Sequence, residues 1–121
     1  MKPSELRLLT EKSKHRVIDN DRALEDQADR ERKQYIEDGY AFNLRILDAI
    51  LTEAAKNGKN EVSVFDWVTN HPRGPENLEI ATRLEFYLIE DGHSISYLDY
   101  DYYQASYDAQ VERCRSLMVS W

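Results

Sequence analysis

The chain contains 121 residues, of which 41% are hydrophobic and 32% are charged, and its net charge at pH 7 is −7. This length is sufficient for one domain with a modest core, and no stretch approaches the roughly 18 consecutive apolar residues that span a bilayer. The acidic balance argues against direct binding to nucleic acid, because contacts to phosphate require Lys and Arg.

Charge is distributed unevenly between the two halves of the chain. Residues 1–57 contain 11 Lys and Arg against 12 Asp and Glu, whereas residues 58–121 contain 5 against 11. An acidic second half promotes solubility and also attracts a basic protein surface. The residues after Met1 are not an apolar run, which predicts no secretory signal. The single cysteine, Cys114, cannot close an internal disulfide, so we expect a reducing, cytoplasmic location.

Residues 1–39 are predicted to form a charged helical arm, since the chain has no proline between Ser4 and Lys56. Within the arm, residues 10–34 carry charged side chains three or four positions apart, which pair favourably on the surface of a helix. The apolar stripe that remains is too thin to hold the arm on a core by burial alone.

Three arrangements of this arm remain open: a projecting helix, a partly disordered segment, and an arm that forms a homo-oligomer through residues 4–35. Asn20 and Asp21 are good N-cap residues for a second helix that begins at Arg22. We therefore expect the helical region to break near Asp19–Asp21.

Residues 40–55 show the spacing of a helix that faces a core, with apolar side chains three or four positions apart. Gly58 supplies a C-terminal stop, because glycine readily adopts the left-handed conformation that ends a helix. The apolar positions are Tyr40, Leu44, Leu47, Ile50, Leu51, Ala54 and Ala55.

The pattern changes after this helix. Glu61–Val68 is rich in β-branched and aromatic residues and predicts a strand. Two prolines and a glycine make Asn70–Pro75 a loop. An amphipathic helix follows from Glu76, and Asp91 and Gly92 end it.

Two further strands are predicted, His93–Leu98 and Leu117–Trp121, which should pair as an antiparallel hairpin. The fold class expected for residues 40–121 is therefore α+β, a small three-stranded sheet with the helices packed on one face. If Trp121 is well buried in that sheet, its removal should cost about 3–5 kcal/mol.

The chain lacks the motifs of common catalytic and cofactor sites. Its four isolated glycines exclude phosphate-binding loops, and its histidines do not have the spacing of zinc ligands. Cys114 is expected to fill apolar space rather than act as a nucleophile. Asp99 and Asp101 alternate as calcium ligands do, but the glycine and the final glutamate of a calcium loop are missing. We expect no metal, no cofactor and no enzymatic activity.

Five of the eight tyrosines fall within residues 97–107, interspersed with aspartates. Tyrosine combines a large apolar ring with a polar tip and is enriched at the energetic centres of protein interfaces. Alternation along a strand directs Tyr97 towards the core and Tyr100 and Tyr102 to the opposite side. The predicted protein-binding residues are Asp99, Tyr100, Asp101, Tyr102, Tyr103 and Asp108.

Residues 44–121 contain a series of short motifs. They are Ala54-Ala55-Lys56-Asn57-Gly58, Val62-Ser63-Val64, Leu84 to Leu88, Gly92-His93-Ser94-Ile95-Ser96-Tyr97 and Val119-Ser120-Trp121. In this order the motifs resemble a set of small α+β proteins encoded by tailed bacteriophages, most of unknown function. The resemblance implies a phage-encoded accessory or virion protein and carries over no active site.

Two functions follow as hypotheses. In the first, the chain is a phage-encoded accessory protein that binds and modulates a host or viral protein in the host cytoplasm. Its acidic, tyrosine-bearing surface would then meet a basic partner, as in counter-defence proteins or DNA mimics. In the second, the chain is a structural subunit of a virion or another assembly and oligomerises through its N-terminal arm.

Overall fold

The computed structural model describes the backbone of residues 2–103 and 111–121, and the side chains of residues 2–14, 21–102 and 111–121. Helices and strands in this part of the chain follow the expected order, and the expected α+β fold class is confirmed. The elements are helix α1 (Pro3–Lys56), strand β1 (Glu61–Val68), helix α2 (Gly74–Glu90), strand β2 (Ser94–Tyr103) and strand β3 (Val111–Ser120).

Helix α1 is continuous, so the break expected near Asp19–Asp21 is wrong. Asn and Asp inside a helix each cost less than about 0.7 kcal/mol relative to alanine, which is too little to interrupt a long helix. The chain divides into two compact units, Met1–Gln34 and Tyr35–Trp121. This division lies slightly before the boundary expected between residues 39 and 40.

The end of α1 contributes to the core of the Tyr35–Trp121 unit. Ile36, Leu47 and Ala54 are buried, as the helical spacing of the apolar residues predicts for the last two. Because Ile36 already belongs to the core, this unit begins before residue 40. Partly buried side chains of α1 that pack against the same core are Tyr40, Leu44, Ile50 and Leu51.

Gly39 lies where α1 and α2 approach each other closely. A Cβ atom at this position would overlap Cδ1 of Ile80, and Ile80 is itself 2% exposed. Glycine inside a helix costs about 1 kcal/mol relative to alanine, and close helix packing explains why a glycine occupies this position.

Both helices end at the glycines that the sequence analysis singled out. Gly58 and Gly92 have φ angles of +75° and +91°, in the left-handed region that ends helices. After Gly58, the Lys59 amide donates a hydrogen bond of 3.0 Å to the carbonyl of Ala54, which closes the last turn of α1.

Helix α2 begins at Gly74 rather than at Glu76, so the expected loop is shorter. Pro75 occupies the first turn of the helix, where its missing N–H leaves no bond unmade and its fixed φ angle suits the helix. A Cβ atom at Gly74 would collide with the carbonyl oxygen of Thr69, so the connection between β1 and α2 requires a glycine.

Strand β3 is the central strand of the sheet, in the order β1-β3-β2. It runs antiparallel to both neighbours, so the expected hairpin of β2 and β3 is confirmed. Strand β3 begins at Val111 rather than at Leu117, and β2 extends as far as Tyr103. Strand β1 contains a register shift between Ser63 and Phe65.

Trp121 lies just beyond the end of β3 and is 46% exposed. Its amide donates a hydrogen bond of 3.0 Å to the carbonyl of Asn60, so its backbone is held while its ring remains half in solvent. Trp121 is therefore not a core residue, and a loss of 3–5 kcal/mol on its removal is no longer expected.

The core lies between the helices and one face of the sheet. Leu84 and Leu88 of α2 and Leu117 and Val119 of β3 are each 1% exposed or less and belong to one hydrophobic cluster. Burial of this kind stabilises the fold by about 1.5–3 kcal/mol for each side chain.

We predict that Leu84→Ala lowers the free energy of unfolding by about 2–5 kcal/mol, because it removes buried methyl groups and leaves a cavity. Chemical denaturation followed by circular dichroism measures this loss. The matched control is Leu78→Ala in the same helix, since Leu78 is 44% exposed and its truncation should have a much smaller effect. Equal losses in the two variants would contradict the core described above.

Candidate functional site

Strand pairing sorts the residues of the sheet into two faces, because directly opposed residues of antiparallel strands project from the same side. Leu117 lies opposite Phe65 and Tyr97, and all three pack in the core beside the helices. Ser116 lies opposite Leu98 and belongs to the other side, which we call the open face. The open face consists of Glu61, Ser63, Asp66 and Val68 of β1, Ser94, Ser96, Leu98, Tyr100 and Tyr102 of β2, and Glu112, Cys114, Ser116, Met118 and Ser120 of β3.

This alternation divides the tyrosine cluster in the way that strand parity predicts. Tyr97 packs against the core, whereas Tyr100 and Tyr102 belong to the open face and are 40% and 54% exposed. Tyr103 is paired with Val111 through the backbone, but its side chain lies outside the described residues, as does all of Asp108.

Tyr97 acts as a structural residue of the inner face. Its hydroxyl donates a hydrogen bond of 2.7 Å to Oε2 of Glu85 in α2, and its ring makes an edge contact with Trp67 at 6.3 Å between centroids. Burial, together with the hydrogen bond to the Glu85 carboxylate, raises the pKa of Tyr97 far above its ordinary value. The phenol therefore stays neutral and joins β2 to α2.

Asp99 is paired with an arginine of the neighbouring strand. Arg115 lies directly opposite Asp99, and its Nε and Nη2 atoms lie 2.6 and 3.2 Å from the two carboxylate oxygens. This two-pronged geometry is the strong form of a charged hydrogen bond. The hydrogen bond from Arg115 lowers the pKa of Asp99, so Asp99 carries a negative charge that Arg115 balances.

Asp101 has a similar position one row further along the hairpin. It lies opposite Arg113, and the side chains of both residues are exposed. Alternation places Asp101 and Asp99 on the side of the sheet away from Tyr100 and Tyr102. The structure therefore does not bring Asp99 and Asp101 together with the exposed tyrosines on one face, and each of the two aspartates lies opposite an arginine.

The open face is nevertheless acidic, because three other carboxylates belong to it. Glu61 and Asp66 of β1 and Glu112 of β3 lie on this face, and none of its described residues is Lys or Arg. Sequence reasoning missed Asp66 and Glu112 as site residues. The acidic composition of residues 58–121 was the available signal, but only the pairing of β3 with both β1 and β2 shows which carboxylates share a face with the tyrosines.

Asp66 is held in place by two serine hydroxyls of the open face. Ser63 donates a hydrogen bond of 2.9 Å to Oδ1 of Asp66, and Ser116 donates a second hydrogen bond to the same oxygen. Two hydrogen bonds to one carboxylate oxygen restrict the rotation of the side chain. Asp66 is therefore a fixed negative charge beside the apolar part of the face.

The exposed apolar surface of the open face lies on β2. Leu98 is 53% exposed and precedes the two exposed tyrosines at the strand's alternating positions. Val68 and Met118 are half-buried at the adjoining positions of β1 and β3. An aromatic and aliphatic stripe with a partly polar border resembles the composition of protein interfaces.

Strand β2 is also an edge of the sheet, since β3 is its only partner among the described strands. An edge strand has backbone N–H and C=O groups that its own sheet does not pair, and such groups can pair with another chain. The exposed stripe therefore lies along an edge of the described sheet.

The part of the chain that the structure describes holds no group of three His, Cys, Asp or Glu side chains arranged to bind a metal. Cys114 is buried in β3. Nδ1 of His71 accepts a hydrogen bond of 3.1 Å from the Arg73 amide, which is a local contact within a loop. Neither described helix combines the length and the apolar composition needed to cross a bilayer.

The chain matches no protein-family model, no curated protein and no solved structure. The resemblance of residues 44–121 to small proteins of tailed bacteriophages therefore stays a prediction. The positions of the tyrosines and carboxylates on the sheet carry the functional argument.

We predict that Asp99→Asn lowers the melting temperature slightly at neutral pH, because it weakens the hydrogen-bonded pair with Arg115. The folded pKa of Asp99 lies below its unfolded value of about 3.9, so the pair stabilises the fold above that pH and loses its effect as pH falls through the folded pKa. The difference from wild type should therefore disappear in acid, and it should shrink in concentrated salt.

Thermal melts at about pH 7 and at about pH 2 measure this difference. Asp48→Asn, at an exposed position of α1, is the control and should leave the melting temperature unchanged at both pH values. A difference for Asp99→Asn that persists in acid would show that the carboxylate does not act through its charge.

Proposed function

We propose that this protein is a non-enzymatic binding protein that attaches to a basic protein partner through the open face of its sheet and thereby modulates that partner. The observation that carries the proposal is the combination of two exposed tyrosines and an exposed leucine on one edge strand with carboxylates on the same face. Contact residues of this face are Leu98, Tyr100, Tyr102, Asp66 and Glu112.

The apolar part of the face supports a stable contact. Leu98, Tyr100 and Tyr102 each expose at least 40% of their surface, although each has a large side chain that gains free energy on leaving water. Tyrosine loses little conformational entropy on binding because it has only two side-chain torsions. A partner that covers this stripe would therefore gain most of its affinity there.

The charges of the face support the choice of partner. Carboxylates without lysine or arginine among the described residues of the face favour a surface rich in Lys and Arg, and they raise the rate of encounter with it. Asp99 is paired with Arg115, and Asp101 lies opposite Arg113, both on the side of the sheet away from the exposed tyrosines. The proposal therefore moves the acidity of the contact surface from the hairpin aspartates to Asp66 and Glu112.

We predict that the double substitution Tyr100→Ala and Tyr102→Ala lowers recovery of the partner by at least about tenfold, because truncation at the centre of an interface commonly costs 2 kcal/mol or more. Immobilised wild-type and variant chains are incubated with an extract of the cells that naturally contain the protein. Quantitative mass spectrometry then compares the proteins that each chain retains.

The matched control for this capture is the double substitution Phe42→Ala and Phe86→Ala. These aromatic side chains are 55% and 66% exposed but belong to the helices, so the control should retain the partner. Equal recovery by the tyrosine variant and wild type would overturn the proposed surface. Loss in the control variant alone would place the contact on the helices instead.

One version of this proposal makes the partner a nucleic-acid-binding protein, with the carboxylates standing in place of phosphates. The chain itself is proposed not to bind nucleic acid directly, because its net charge is −7 and phosphate contacts need cations. In this version, duplex DNA added to the capture displaces the partner, whereas a partner with another role stays bound.

A second candidate function uses the Met1–Gln34 unit. Every described side chain from residue 2 to residue 34 is exposed, and we propose that residues 4–35 form a homo-oligomer, as in a structural subunit of a virion or another assembly. A helix gains most of its stability from burial of one face against a partner, which supports association through this segment.

We predict for this candidate that the average mass of the chain rises with concentration. Sedimentation velocity from about 1 to about 200 μM measures it, and the full chain is used throughout. A monomer across this range would contradict self-association and leave the open-face proposal unaffected.

The two candidate functions imply different locations for the protein. The resemblance of residues 44–121 to small tailed-phage proteins supports a phage-encoded accessory protein that acts in the host cytoplasm, with counter-defence as one role. If the oligomeric candidate holds, we propose a location in the virion. Detection of the chain by mass spectrometry in purified particles distinguishes the two locations.

A further inference from the structure

The helix of the Met1–Gln34 unit carries exposed side-chain pairs on its surface. The bond between Gln27 Nε2 and Glu31 Oε1, at 3.2 Å, joins two exposed side chains one turn apart. Such pairs contribute about 0.2–0.5 kcal/mol each. Exposed pairs of this size add little to a helix in water, whereas burial of one side against another surface stabilises it.

Between positions 6 and 28, one side of this helix carries no charged residue, and Glu31 is the first charge that falls on it again. Of the 27 residues in the described ranges 2–14 and 21–34, 15 are charged, so an uncharged side requires a specific arrangement. At about 100° per residue, Leu6, Thr10 and Ser13 fall on one side of the helix, together with two residues of the second range. Those two are Leu24 and Ala28.

This uncharged side has the geometry of a helix–helix seam. Spacings of four and three residues, as from position 6 to 10 and to 13, keep the side chains of a helix facing one partner. Leu6 and Leu24 are 51% and 65% exposed, and both would be covered by a second helix. The seam is thin, so its apolar residues alone do not determine the orientation of a partner.

The order of charges along the helix favours one orientation. Residues 2–14 carry a net charge of +2 and residues 21–29 a net charge of −3, and residues 30–33, which follow the acidic stretch, carry +2. The cations of the first segment, which we call the basic segment, are Lys2, Arg7, Lys12 and Lys14, against Glu5 and Glu11. The second segment, which we call the acidic segment, contains Asp21, Glu25, Asp26 and Asp29, against Arg22.

We infer that the N-terminal helices of two copies of this chain pair in antiparallel orientation. The basic segment of each copy then lies along the acidic segment of the other, and both contacts are attractive. In a parallel pair, each segment would lie beside the same segment of the other chain, so both contacts would be repulsive. This inference rests on the self-association proposed above and adds to it the partner, a second copy, and the orientation.

Three charge variants of the full chain test the orientation. The first reverses the basic segment with Arg7→Glu, Lys12→Glu and Lys14→Glu. The second reverses the acidic segment with Asp21→Lys, Glu25→Lys and Asp26→Lys. The third combines all six substitutions and so exchanges the two segments. Sedimentation velocity at about 0.1 M and about 0.5 M salt gives the dimer dissociation constant of each chain.

Each single-segment variant should dimerise at least about tenfold more weakly than wild type, because several attractive pairs become repulsive. The exchanged variant should return to within about threefold of wild type, and an equimolar mixture of the first two variants should form a heterodimer. Wild-type dimerisation should weaken as salt rises, since the pairs are exposed to solvent.

A matched control is the triple substitution Arg45→Glu, Lys56→Glu and Lys59→Glu. It changes the net charge by the same amount as the basic-segment variant but lies at exposed positions of the Tyr35–Trp121 unit, so dimerisation should stay at the wild-type level. Circular dichroism of every variant checks that helix content is kept. The exchanged variant contains the same substitutions as the two single-segment variants. If those substitutions weakened dimerisation by unfolding the helix, the exchanged variant would not recover.

The outcomes distinguish antiparallel pairing from self-association through residues 4–35 in general. A wild-type chain that stays monomeric overturns both self-association and antiparallel pairing. A dimer that none of the reversals weakens leaves self-association standing and overturns the antiparallel charge pairing. Weakening by the single reversals without recovery in the exchanged variant also overturns it, because an antiparallel pair restores both attractive contacts.

Discussion

The fold depends on the central position of β3. This strand pairs with β1 on one side and β2 on the other, and Leu117 and Val119 within it are fully buried. Because side chains alternate along a strand, burial of these two positions decides which residues of both neighbouring strands face the helices. A slip of β3 by one residue would move Leu117 and Val119 from the core face to the opposite face of the sheet.

The same constraint organises the candidate site. Once Leu117 faces the core, Tyr97 must do so as well, and Tyr100 and Tyr102 must lie on the open face. Asp99 then falls beside Arg115 rather than beside the exposed tyrosines. The negative charges that accompany the tyrosines come instead from Asp66 and Glu112, which the sequence places far from them.

The two proposed contact surfaces differ in their physical character. The open face combines large apolar side chains with carboxylates, so its affinity comes mainly from surface removed from water and its charges select the partner. The N-terminal helix has few apolar residues, and the order of its charges favours one orientation. Association through the helix is therefore the more sensitive to salt, and the two activities can be separated by substitutions in different units of the chain.

The amino-acid sequence by itself determined the features that arise from local physics. Helical spacing of apolar residues predicted the part of α1 that packs in the core, Gly58 and Gly92 predicted both helix ends, and strand alternation predicted which tyrosines are exposed. These features depend on residues a few positions apart, and their preferences for helix, strand or turn can be read directly from the sequence. Local cap residues misled at Asp19–Asp21, because their preference is weaker than the continuity of a long helix.

Tertiary structure decided everything that depends on pairing between distant segments. The strand order β1-β3-β2, the partnership of Asp99 with Arg115 and the place of Asp66 on the open face all follow from the pairing and register of β3 with its neighbours. Register is set by the sum of many small burial energies in one core. No single residue carries that sum, so it emerges only when the whole sheet is assembled.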